Sequence, residues 1–209
     1  MTVAEYRAAE TNFVTALSEL ERGPLAELRR SLSFNADEGR NGQSYFLTGL
    51  IYEHLSKFYL NDWGFRCAFL VAGLYALVER PHSEPKAGEP DAETVSENPK
   101  TTAPRNLGYA LGRLYRSQDE RPSTEKRFLA LLDADEDQLA DHLRHVVTLL
   151  NAEDIRPDWA QLLSDVLSWN RPESRDRTRE RWARAFYRPE PKTIGANTTE
   201  PLSTQEKPE

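Results

Sequence analysis

The chain has 209 residues, 38% of them hydrophobic and 29% charged, with a net charge of −7. That length suffices for one or two small domains with real cores, while the low apolar share implies unfolded segments attached to a folded body. There is no apolar run of about 20 residues, no basic-then-apolar start and no second cysteine beside Cys67, which argues against a membrane span, a secretory signal and a disulfide framework and for a reducing, cytoplasmic setting.

The spacing of apolar residues predicts helices throughout. Residues 2–21 align Phe13, Ala16, Leu17 and Leu20 on one face. Gly23-Pro24 breaks and restarts the chain, with Pro24 suited to a first helical turn ahead of Leu25, Leu28 and Leu32. Ser44 is placed to cap a helix bearing Leu47, Leu50, Ile51, Leu55 and Phe58. Asp62 is placed to cap one reaching Val78, where residues 67–78 are apolar on every face and mark the centre of the first half. Residues 81–104 hold five prolines and almost no apolar side chains, so they read as a flexible loop.

Beyond it, Asn106–Arg116 aligns Leu107, Leu111 and Leu114, and Ser123 opens a helix to Leu132. Asp135 with Gln138, then Asp158 with Gln161, carry the spacing of capping boxes. A last helix runs from about Pro172 to Tyr187, and residues 189–209 read as a disordered tail. No alternating β-branched run competes. The expectation is an all-α chain of eight or nine helices in two small bundles, residues 1–80 and 105–188, joined by the flexible loop.

Candidate chemistry is sparse. Asp133, Asp135 and Asp137 imitate the start of a calcium loop, but Gln138 stands where glycine is needed and Arg144 where a bidentate glutamate is needed. His142 and His145 lack a third metal ligand at suitable spacing. Cys67 reads as inert packing, and Trp63, Trp159, Trp169 and Trp182 as core. There is no phosphate loop, serine elbow or HExxH, so neither a catalytic site, a metal nor a cofactor is expected.

The charge is sorted along the chain. Residues 119–170 carry five basic and twelve acidic side chains, whereas 171–188 carry seven basic and three acidic, and 101–118 carry three basic and none acidic. Local density governs attraction to phosphates, because screening limits electrostatic reach to about 10 Å. Arg177, Arg181, Arg184 and Arg188, at i, i+4, i+7 and i+11, form a stripe opposite Trp182 and Phe186. Arg29-Arg30, Arg113 with Arg116, Lys126-Arg127 and Arg144-His145 complete the candidate nucleic-acid contacts. Arginine suits this task because its planar fork donates two bonds to one phosphate and keeps its charge. The alternatives are a solvated helix face, and intramolecular pairing with the many acids nearby.

Leu28-Arg29-Arg30, Leu107-Gly108-Tyr109-Ala110-Leu111, the stretch from Arg127 to Asp135, Leu143-Arg144, and Asp158-Trp159 through Trp169 occur in an order and spacing that resembles the CasB family, the small subunit of the type I-E CRISPR surveillance complex, Cascade. The match is strongest over 105–187 and weaker over 20–80. The resemblance implies two helical bundles without enzymatic activity. It also implies two copies side by side, touching the large subunit and the backbone subunits. The family's arginines stabilise the R-loop, holding the target strand of the guide RNA–target DNA heteroduplex and guiding the displaced DNA strand. By position, Arg30, Arg127, Arg144 and His145 match basic family positions, and the last-helix arginines match a basic C-terminal region loosely. Asp133 and Glu136 depart from the pattern, standing where the family can carry basic residues. A structural adaptor bridging subunits of a ribonucleoprotein complex is the alternative function.

Overall fold

The computed structural model of the chain describes residues 2–31, 45–55, 61–79 and 106–189. The expectations that rest on Leu32, Ser44, Phe58, the 81–104 loop and the tail beyond 189 lie outside the described residues. Among the described residues there are nine helices and no strand: α1 (Val3–Ser18), α2 (Arg22–Ser31), α3 (Tyr45–Leu55), α4 (Asp62–Val78), α5 (Leu107–Ser117), α6 (Pro122–Asp133), α7 (Leu139–Ala152), α8 (Trp159–Leu167) and α9 (Pro172–Phe186). The all-α expectation is therefore met.

Helix starts differ from the sequence reading in several places: α2 begins at Arg22, ahead of Gly23-Pro24, and α6 at Pro122 rather than Ser123. Asn61, not Asp62, caps α4: its backbone is extended and its side chain accepts the Gly64 N–H at 2.8 Å. Asp62 instead occupies the first helical turn, where its charge faces the positive end of the helix. Before α7, Asp135 accepts the N–H groups of Asp137 and Gln138 at 3.1 and 2.9 Å, so it closes a turn and the helix begins only at Leu139. The Asp158 cap forms as expected, accepting from Gln161 N at 2.8 Å, but the Gln161 side chain reaches forward to Asp165. Asn61→Ala should cost about 1 kcal/mol by leaving an N-terminal donor of α4 without its cap, seen as a lowered midpoint in urea unfolding.

The all-round apolar helix α4 packs against α2, α7 and α8, and α1 also lies on α8. The reason is composition: Cys67, Ala68, Val71, Ala72, Leu74 and Ala76 are all buried, and small side chains among them let several helices approach. Buried side chains from before and after the 81–104 segment form one cluster. At the seam, the Trp63 indole donates to the Leu167 carbonyl at 3.1 Å, and Trp159 meets Tyr75 edge-on at 5.6 Å. Trp159, Trp169 and Trp182 are buried and Trp63 is half-buried, in line with their reading as core.

Cys67 lies inside this cluster with its thiol 3.7 Å from the Val166 carbonyl. Burial pushes the thiol up, far from the thiolate form that reacts. Ellman's reagent should therefore label Cys67 only as the protein unfolds, on the timescale of global opening rather than within seconds.

The second layer is built on glycine. A Cβ on Gly108 would stand 2.6 Å from the Trp182 Cα, and one on Gly112 would stand 2.9 Å from the Phe186 Cα. This four-residue glycine spacing forms a trough on α5 in which the backbone of α9 rests. Phe186 then stacks on Phe128 of α6, with ring centroids 4.1 Å apart, and leans on Tyr115 at 5.1 Å.

Candidate nucleic-acid interface

Helix α6 shows how cations are held outward. Pro122 sits at its first turn, and Thr124, Phe128 and Leu131 recur at three- and four-residue intervals and are buried. The remaining face is exposed and carries Lys126 and Arg127. Neither has a hydrogen-bond or ion-pair partner among the described residues.

The α9 stripe is divided. Arg181 turns inward to Asp165, Nη2 to Oδ1 2.5 Å, and also reaches the Thr178 hydroxyl at 3.2 Å. Arg177 pairs with Glu173 at 3.7 Å and Arg184 with Glu180 at 2.6 Å, both exposed pairs on the helix itself. Exposed i,i+4 pairs are worth only about 0.3–0.5 kcal/mol, so both arginines can be drawn off by a phosphate. Arg188 is exposed just past the helix end and has no partner among the described residues.

The other candidates fall into separate settings. Arg29 caps the end of α4, donating to the Ala76 and Glu79 carbonyls, while its neighbour Arg30 is exposed. Arg116 donates to the Phe186 carbonyl at 3.1 Å, closing the end of α9, while Arg113 on the same helix is exposed. On α7, Arg144 is half-buried and His145 exposed. Tyr187, the residue before Arg188, donates its hydroxyl at 2.8 Å to Oε1 of Glu125, the residue before Lys126. Arg30 belongs to α2, which packs chiefly on α4, away from that junction.

Several charged residues with structural work were not singled out from the sequence. Asp165 is buried and accepts from Arg181 at 2.5 Å, the Trp182 indole at 2.5 Å and Gln161 at 2.7 Å. Burial pushes its carboxyl up from the ordinary range, and the Arg181 charge and the three donated bonds pull it back. The available signal was an acid inside the apolar run from Leu162 to Leu167. Arg179 lies over the Trp169 ring at 5.5 Å and donates to the Ala134 carbonyl at 2.7 Å, pinning the end of α6 to α9. Arg156 bridges Glu79 at 3.1 Å and Asp154 at 2.9 Å. Among the described residues no group of three or more His, Cys, Asp or Glu is placed to hold a metal ion, and no helix is long and apolar enough to cross a membrane.

Against known proteins, residues 24–187 match the family model for CRISPR-associated protein Cse2. A curated relative, CRISPR-associated protein Cse2 of Thermus thermophilus, is 37% identical over 120 residues, 57% of this chain. The matched stretch covers 54% of that relative, about half its length. The crystal structure of M. ruber CasB superposes with a TM-score of 0.67 at 32% identity, covering 86% of this chain and 92% of that one. A chain of a solved CRISPR RNA-guided surveillance complex shares the fold, with a TM-score of 0.59 at 19% identity over 87% of this chain and 95% of that one. With the family model spanning most of its helices, from α2 to the end of α9, the chain belongs to the Cse2 family of CRISPR-associated proteins, also called CasB.

Proposed function

We propose that this chain is a non-catalytic subunit of a CRISPR RNA-guided surveillance complex that holds nucleic-acid backbone and stabilises the opened target duplex. The observation that carries the reading is Lys126-Arg127, two exposed cations that the protein's own carboxylates leave unpaired among the described residues, on a helix anchored by Phe128 and Leu131 in a chain of net charge −7. Arg30, Arg113 and Arg188 are exposed in the same way, and Arg177 and Arg184 add cations held only by weak surface pairs. In such a complex the exchange of a DNA duplex for a guide heteroduplex is nearly balanced, so a few backbone contacts tip it toward the open state. Phosphate contacts carry no base identity, so the grip is indifferent to sequence. The chain's other partners are then the large and backbone subunits and a second copy of itself.

The reconstituted complex tests this. With about four phosphates neutralised on single strands, the logarithm of the binding constant should fall against log salt with a slope near −3. Lys126→Ala with Arg127→Ala should weaken target binding about tenfold in dilute salt and flatten the slope by about 1.4. Arg30→Ala should act in the same direction and more weakly. Unchanged affinity and slope in all of them would overturn the reading.

The adaptor reading draws on Tyr45 and Tyr52, which stand 92% and 52% exposed on α3. An aromatic surface of that kind suits a protein partner. It predicts that Tyr45→Ala with Tyr52→Ala prevents co-elution with the other subunits, while the cation variants assemble normally.

A further inference from the structure

Four features converge where α9 ends. Arg116 closes the helix through the Phe186 carbonyl, and Phe186 is wedged between Phe128 and Tyr115. Tyr187 stands edge-on to Phe186 with centroids 4.9 Å apart, and its hydroxyl donates to Glu125 at 2.8 Å. Glu125 immediately precedes Lys126 and Arg127, and Arg188 immediately follows Tyr187. The phenol–carboxylate bond therefore joins the end of α9 to the first turn of α6, each one residue from an exposed cation. More than half of Tyr187 is exposed, so the core does not explain why its ring lies there.

We infer that Tyr187 is a positioning residue for the nucleic-acid grip: by docking on Glu125 it sets Arg188 beside Lys126 as one cationic edge. Without that bond Arg188 sits on a segment that leaves the helix, and its charge is averaged over many positions. With it, Arg188 and Lys126 occupy a defined place and share a run of phosphates. The hydroxyl remains a donor through the working range, since burial, the bond and the charge of Glu125 push it up to about 12. This assignment rests on the nucleic-acid reading above and deepens it by naming what organises the site.

The test is a mutant cycle in the reconstituted complex, with a fluorescent target DNA and salt titration as the readout. Tyr187→Phe keeps the ring and its contact with Phe186 but removes the donor. It should weaken binding about threefold and flatten the salt slope by about 0.7, the share of one phosphate, with the unfolding midpoint of the chain unchanged. Arg188→Ala should do the same, and the double variant should be no weaker than Arg188→Ala alone, because Tyr187 acts through Arg188. Glu125→Gln, which still accepts the bond and carries no charge, should bind at least as tightly as the parent. If Tyr187→Phe is silent while Arg188→Ala weakens binding, or if the two losses add, the positioning role is overturned and the grip stands. If Lys126→Ala, Arg127→Ala and Arg188→Ala are all silent, the nucleic-acid reading falls and this inference with it.

Discussion

Gly108→Ala should destabilise the chain by about 3 kcal/mol or more, and Gly108→Leu should prevent native packing of α9 altogether. Helix propensity alone forecasts the opposite sign, since alanine in a helix interior is better than glycine by about 1 kcal/mol. Packing wins because the obstruction is backbone: the added Cβ would lie 2.6 Å from the Trp182 Cα and closer still to its carbonyl oxygen, and neither yields unless the whole of α9 moves. Moving α9 breaks the Arg116–Phe186 and Tyr187–Glu125 bonds as well. Gly49 supplies the control. It lies inside α3, a Cβ there meets nothing within 4 Å, and Gly49→Ala should therefore stabilise by about 0.5–1 kcal/mol. Urea unfolding of the two variants checks the opposed signs. A stabilised Gly108→Ala would mean that α5 and α9 are not in backbone contact.

Asp165→Ala should cost about 2–3 kcal/mol, and Asp165→Asn about half of that. The carboxylate binds α8 to α9 through Arg181 and Trp182 and also accepts from Gln161 on its own helix, and these three donors do not suffer equally when it goes. The Arg181 side chain is 44% exposed and turns to water, so its loss is small. Gln161 is also within reach of solvent. Trp182 is fully buried, and its indole N–H is left without an acceptor, which costs about 1–3 kcal/mol by itself. Asparagine turned to keep its one oxygen on the indole presents its NH2 where Oδ1 accepted from Arg181 and Gln161, so it saves the buried bond and gives up the two that solvent can replace. Calorimetric unfolding with near-ultraviolet circular dichroism follows both effects, since Trp182 packs against Trp169 at 5.3 Å and reports its own surroundings. A Trp182 signal unchanged in Asp165→Ala would show that the acceptor is dispensable.

The candidate site was legible in part. Lys126 and Arg127 were readable because Phe128 and Leu131 beside them already implied which way α6 would turn. Arg29 and Arg30 are adjacent and look alike in sequence, yet one caps α4 from some fifty residues away and the other faces solvent. Arg181 looked like one member of a regular stripe and is drawn out of it by Asp165, sixteen residues earlier. In each case the deciding partner is a carbonyl or carboxylate supplied by a distant helix, and helical periodicity contains no term for it. Asp62 and Asn61 show the same limit at short range: both residue types cap, and only the backbone angles chose between them.

By itself the sequence determined the helical class, most helix positions, the inward faces and the sorting of charge, because these follow from a 3.6-residue period and from local composition. The order of its motifs was also enough to suggest the family. Tertiary structure alone decided how closely α5 and α9 approach, which arginines are consumed as caps and ion pairs, and that Tyr187 meets Glu125. Those outcomes depend on backbone atoms and polar groups brought together across the chain, and a free cation is defined by the absence of such a neighbour.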